Sequence, residues 1–261
     1  MHTKNCNSKC DCKNDKKDLK IYPVNIDESN LGKIEKNILL DVPFLLTIIG
    51  RVKAGKSIII NNLALNHYKE DFDHIIVISP TIYSDPVNKH LEKEALFSFE
   101  NYSDDLIDEI IEIIENDEDN GRYLLILDDI IGNVKFRKNT SKVDKITELS
   151  TKYRHITNNE TGDEGRLSII ISTQQFKFLS NILRFCSTGF IVAGVQSPAE
   201  LKAMSEELSI FTNGKPDQFI DIYKKSKRKP FDFLFLSMND MSCHRNFEEI
   251  LNIKKEEEEE D

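Results

Sequence analysis

Residues 50–57 read Gly50-Arg51-Val52-Lys53-Ala54-Gly55-Lys56-Ser57, a full match to the phosphate-loop pattern G-x-x-x-x-G-K-[ST]. The context agrees: the apolar run Phe44–Ile49 leads straight into Gly50, and a helical pattern carrying Leu63 and Leu65 starts at Lys56. Each position has a chemical reason. The glycines let the backbone wrap a phosphate closely, successive amides point inward as an anion nest, and the following helix adds its positive end. All eight residues are therefore expected to hold a nucleotide, with Lys56 bridging the β- and γ-phosphates and the Ser57 hydroxyl ligating Mg²⁺.

Working outward, such a loop calls for a carboxylate at the metal. The apolar run Tyr123–Leu127 ends in Asp128-Asp129. Asp128, nearer the strand, is expected to hold Mg²⁺ through water, and Asp129 to polarise the attacking water as general base. Paired acids here separate the hydrolytic, motor-like branch of these folds from GTPases. The guanine signature Asn-Lys-x-Asp is also incomplete at Asn88-Lys89-His90-Leu91, which favours ATP over GTP. A RecA-like sheet places another strand between the loop strand and the acid-bearing strand. Ser168–Ser172 fits that place and runs into Thr173-Gln174-Gln175, so Gln174 is expected to contact the γ-phosphate and the attacking water.

From residue 38 onward, short β-branched runs alternate with longer amphipathic segments. The strands expected are Phe44–Ile49, Ile75–Ser79, Tyr123–Leu127, Ser168–Ser172, Gly189–Ala193, Gln218–Tyr223 and Phe231–Leu236. The helices expected are Lys56–Tyr68, Asp104–Asn116, Val143–Arg154, Leu179–Phe185 and Pro198–Leu208. Runs such as LLTII and YLLILD are apolar on both faces, as buried parallel strands are. The fold class expected is α/β, a RecA-like P-loop NTPase with a mainly parallel central sheet flanked by helices. The last two strands read as a C-terminal antiparallel hairpin with the basic tip Lys224–Pro230. The chain divides into a polar segment 1–37, an ATPase domain 38–253 and an acidic tail 254–261.

The formal net charge of the 261 residues is −10. Such a balance argues against coating nucleic acid by bulk charge. Yet residues 103–120 contribute −9 and the last eight residues −4, so the remainder carries +3. The basic residues gather in Lys135-Phe136-Arg137-Lys138 with Lys142, and in Lys224–Lys229. Either patch suits sequence-independent contact with a DNA backbone, and either suits a solvated turn. Cys6, Cys10 and Cys12 match no zinc-finger spacing and read as reduced thiols in a polar segment, so a reducing compartment is expected. The longest apolar stretch, Val42 to Ile49, is too short to span a bilayer, and the first residues lack the apolar core of a secretory leader.

Taken together, GRVKAGKS, YLLILDDI, Tyr153-Arg154-His155, IIISTQQ and LRFCSTGFIV at 183–192 resemble the genome-packaging ATPases of large double-stranded DNA viruses, the poxvirus-type members of the FtsK/HerA superfamily. The resemblance covers roughly residues 40–240. It implies ATP hydrolysis with Mg²⁺ and a homo-oligomeric ring that pumps double-stranded DNA into a preformed capsid. It also implies viral capsid or portal-vertex partners and a place in the infected-cell cytoplasm or virus factory. By position, it makes Lys56 and Ser57 nucleotide ligands, Asp128 the metal acid, Asp129 the catalytic acid and Gln174 the sensor. Arg184 matches an arginine that acts in trans on a neighbour's γ-phosphoryl group, a role that contributes about 10³–10⁵ in rate; Arg154 is the competing choice. The alternatives are a general DNA pump or helicase-like ATPase with the same core, or a nucleotide-gated assembly protein with little turnover.

Overall fold

Strands that bury both faces need apolar residues at every position, and the runs around the phosphate loop supply them. In the computed structural model, which describes residues 38–130, 144–157 and 165–251, these runs build one nine-stranded sheet. The elements in chain order begin with β1 (Leu45–Gly50), α1 (Lys56–Asn62), β2 (His74–Ile78), α2 (Lys89–Glu94) and β3 (Phe97–Phe99). Next come α3 (Asp104–Glu115), β4 (Tyr123–Leu127), α4 (Lys145–Lys152), β5 (Leu167–Thr173), α5 (Asn181–Cys186) and β6 (Gly189–Gly194). The chain closes with α6 (Pro198–Glu207), α7 (Pro216–Ser226), β7 (Leu234–Ser237), β8 (Ser242–Arg245) and β9 (Glu249–Ile250).

The strand order is β3-β2-β4-β5-β1-β6-β7-β8-β9. The first six in that order are parallel, and β7, β8 and β9 are antiparallel additions beyond β6. The RecA-like arrangement is present: β5 lies between β1 and the acid-bearing β4.

Alternate residues of each strand go to opposite faces. Leu45, Ile49, Leu125, Leu127, Ile169 and Ile171 meet α3 to α7 on one face. Leu46, Ile48, Leu124, Ile126 and Ile170 meet α1 and α2 on the other. The acidic stretch forms α3, which buries Leu106, Ile107, Ile110 and Ile114. Ser103 Oγ caps its start by accepting the Leu106 amide at 3.1 Å, and Asp104 and Asp105 sit in the favourable first turn. No described helix is long and apolar enough to cross a membrane.

One expected strand is a helix. Gln218–Tyr223 lies inside α7, which opens with Pro216 at its first turn and buries Phe219, Ile222 and Ser226. That spacing is helical, whereas the strand reading rested on the local alternation of QFIDIY. The C-terminal hairpin exists but lies further on, with β7 paired to β8 around the turn 238–241. The basic run is thus the end of α7 and the loop behind it. Segments 1–37 and 254–261, the three N-terminal cysteines and the Lys135–Lys142 patch lie outside the described residues.

Candidate active site

β1 delivers the chain to Gly50 at the centre of the sheet, and the loop turns there under tight packing. A methyl group on Gly50 would stand 3.1 Å from Ala193 Cβ and 3.2 Å from Ala54 Cβ, so any side chain there would have to push these neighbours apart. The Arg51 amide donates to Gly194 O at 3.1 Å, which pins the loop to β6, and the Ala54 amide donates to Arg51 O at 3.1 Å. Lys53 (φ +62°) and Gly55 (φ +90°) take left-handed conformations that curl the backbone back into α1. Val52 and Lys53 are exposed, and Ala54 is buried beneath them. Lys56 begins α1; its side chain turns back over the loop and donates to Gly50 O at 2.9 Å. It is only 9% exposed. Ser57 follows on the first turn, half-buried.

Two strands from β1, across β5, β4 runs out into Asp128, which is 6% exposed. Ser79, just past β2, donates to its Oδ2 at 3.2 Å, and Ser172 of β5 donates to its Oδ1. Burial raises the Asp128 carboxyl above its ordinary range and Asp129 adds to the rise; the Ser172 bond, Lys56 and Ser79 oppose it. Opposition from Lys56 means that the phosphate-loop lysine and the buried acid share one electrostatic environment.

Asp129 sits at φ +52°, a left-handed position that Asp tolerates better than most residues. Its amide donates to Ser172 Oγ at 3.1 Å, and its Oδ2 accepts the Gln174 side-chain amide at 2.7 Å. The sequence readings of Asp128, Asp129 and Gln174 thus fall on one hydrogen-bonded cluster bridged by Ser172. Ser172 and Ser79 were not singled out from sequence. Their only signal is a polar residue closing an apolar run, IIIS and IVIS.

Arg184 is engaged within its own chain. Its Nε pairs with Glu207 at 2.5 Å, and its two terminal nitrogens reach Leu179 O at 2.9 Å and Asn181 Oδ1 at 2.6 Å. The guanidinium also lies 4.8 Å from the Phe176 ring centre. In this conformation it braces α5 against the end of α6. Arg154 is exposed, with Nε donating to Tyr153 OH at 2.9 Å.

Within the basic run, Lys224, Lys225, Arg228 and Lys229 are exposed, and Lys227 turns inward. Lys227 is half-buried and donates to Ala193 O and Asp232 O. Burial lowers its ammonium to about 8, with Asp232 opposing and Arg51 adding to the drop. Arg228 forms a two-pronged pair with Glu249 at 2.8 and 2.9 Å.

A phosphate loop on β1, an intervening β5 and paired acids on β4 form the ATPase core that the sequence resemblance implies. The profile of the family described as Poxvirus A32 protein matches residues 32–258. The chain belongs to the poxvirus A32 family. As an A32-family protein it is a viral P-loop ATPase of the DNA-packaging type.

Solved structures share the fold. The genome packaging NTPase B204 from Sulfolobus turreted icosahedral virus 2 in complex with AMP superposes with a TM-score of 0.58 at 18% identity, over 83% of this chain and 100% of that one. Its complex with ATP-gammaS gives 0.57 at 19%, over 79% and 98%. B204, the DNA-packaging ATPase from Sulfolobus Turreted Icosahedral Virus, gives 0.55 at 20%, over 83% and 100%. No curated protein matches the A32-family chain significantly in sequence.

Proposed function

We propose that this A32-family ATPase hydrolyses ATP at the Lys56–Asp128–Asp129–Gln174 cluster and uses the cycle to drive double-stranded DNA into a preformed capsid. It would work as a homo-oligomeric ring docked on capsid or portal-vertex proteins, in the cytoplasm or virus factory of the infected cell. The observation that carries the reading is the Gln174–Asp129–Ser172–Asp128 hydrogen-bond chain, spanning the ends of β5 and β4 beside the phosphate-loop strand β1. The B204 complexes with AMP and ATP-gammaS support nucleotide binding by a protein of this fold.

The residues present fit Mg²⁺. Asp128 carries a desolvated carboxylate that a cation would stabilise, and Ser57 supplies a hydroxyl at the loop. Mg²⁺ at such sites takes one or two protein oxygens, with phosphates and waters completing the shell. Accordingly, no group of three or more His, Cys, Asp and Glu residues that could hold a metal stands among the described residues. When bound, the ion would neutralise charge on the phosphate oxygens.

The chain's own groups do the rest. Loop amides and Lys56 hold the phosphates. Asp129 has Oδ2 engaged by the Gln174 amide, so its other oxygen is the one that would accept the proton of the attacking water. Gln174 fixes that carboxylate and, with nucleotide present, would shift toward the γ-phosphate and report its state. Arg184 would act in trans only after releasing Glu207, Asn181 and the Leu179 carbonyl.

Strand displacement separates this function from the alternatives. The full chain with ATP, on linear duplex DNA carrying a triplex-forming third strand, is expected to release that strand while leaving the duplex intact. Separation of the duplex would indicate a helicase. ATP-independent behaviour, with negligible turnover, would indicate a nucleotide-gated assembly protein.

A further inference from the structure

A solvent-exposed phenylalanine by itself asks for no explanation. Phe231 differs on three counts. It is 67% exposed, and its backbone lies at φ +69°, a region that aromatic residues rarely adopt. Strain of that kind persists only where the surroundings enforce it, and it clusters at ligand clamps. Here the surroundings do enforce it. Asp232 accepts the amides of Arg228 and Lys229 at 3.1 and 2.8 Å and the Asn246 side-chain amide at 3.1 Å. Lys227 ties the same stretch to β6 through Ala193 O.

The third count is position. A methyl group on Gly55 would stand 3.5 Å from Phe231 Cδ1, so the ring lies against the last turn of the phosphate loop. The sheet order then sets a direction. Asp128 and Gln174 mark the γ-phosphate end on the β4–β5 side of β1. A triphosphate with its γ end there would run across the loop toward the β6–β7 side, and Phe231 stands just before β7.

We infer that the Phe231 ring is the stacking platform for the nucleobase of the bound nucleotide. The proposal rests on the ATPase reading of the same loop and adds the group that receives the nucleoside end. Stacking on an aromatic face needs no matched hydrogen bonds and tolerates any base. Phe231 therefore contributes affinity without choosing among bases.

The test compares binding of ATP and of inorganic tripolyphosphate, both with Mg²⁺, to the full chain. Phe231→Ala is expected to weaken ATP by about tenfold or more while leaving tripolyphosphate, which has no base, unchanged. Phe231→Trp is expected to keep wild-type ATP affinity. Phe231→Leu keeps apolar bulk without an aromatic face, and it gives the same split should the alanine variant fail to fold. Equal weakening of both ligands would overturn the proposal, because the ring would then act by shaping the phosphate loop. Unchanged ATP affinity would overturn it as well. Lys56→Ala distinguishes the underlying reading: if that variant bound both ligands normally, the phosphate site itself would be misplaced and the stacking proposal would fall with it.

Discussion

Asp128 shows how a single buried charge sets function against stability. Its carboxyl stands above the ordinary range chiefly through burial. The folded chain therefore keeps a proton that the unfolded chain has already released. Stability of the nucleotide-free protein accordingly falls as pH rises from the ordinary aspartate value through the raised one, and the deficit persists above it. Asp128→Asn removes the deficit. Its thermal midpoint is expected to exceed wild type at neutral pH and to converge with it in acid, while hydrolysis is lost. Gln174 acts more gently. Gln174→Ala leaves the Asp129 carboxylate in place but unaimed, and is expected to lower kcat between about ten- and a hundredfold with ATP affinity retained. Single-turnover hydrolysis beside equilibrium ATP binding checks that split. The acids and the glutamine were legible in sequence because each closes an apolar run at a place the phosphate loop dictates. Ser79 and Ser172 were not, because serine after a strand has too many ordinary uses for its type to mark a role.

At the scale of elements, five of the six parallel strands were readable because burial on both faces demands unbroken apolar runs. The short β3 and the two-residue β9 fall below any periodic signal. The misreading of α7 has a physical source. In QFIDIY, alternation and helical spacing coincide over six residues, and only the partners at Pro216 and Ser226 extend the helical pattern. A proline in the exposed middle of the segment tests the helix without disturbing the core. Asp221→Pro removes a helical hydrogen bond and clashes with the preceding turn, and is expected to cost about 3 kcal/mol in urea unfolding. A near-neutral result would contradict a helical backbone at Asp221. On α3, Ser103→Ala removes the cap on the Leu106 amide and is expected to cost about 1 kcal/mol by the same measurement.

Across the whole molecule, an overall charge of −10 is compatible with a DNA motor because the acid is concentrated in residues 103–120 and the last eight. The outer face of α3 carries much of it, and Lys145 of α4 reaches across to Asp108 at 2.7 Å. Among the described residues, the run Lys224–Lys229 is partly consumed by its own fold, with Lys227 internal and Arg228 paired. Under the proposed function, DNA contact would therefore fall to the few exposed positions of this run, Lys224, Lys225 and Lys229 among them. The proposed function turns on hydrolysis at one cluster, coupled to DNA. Steady-state ATP hydrolysis by the full chain, with and without linear duplex DNA, tests this most directly when wild type and Asp129→Asn are compared at matched nucleotide occupancy. DNA is expected to stimulate the wild-type rate, and Asp129→Asn to lose about 10²–10⁴ of the stimulated rate while still binding ATP. A DNA-stimulated rate that survives Asp129→Asn would contradict the account.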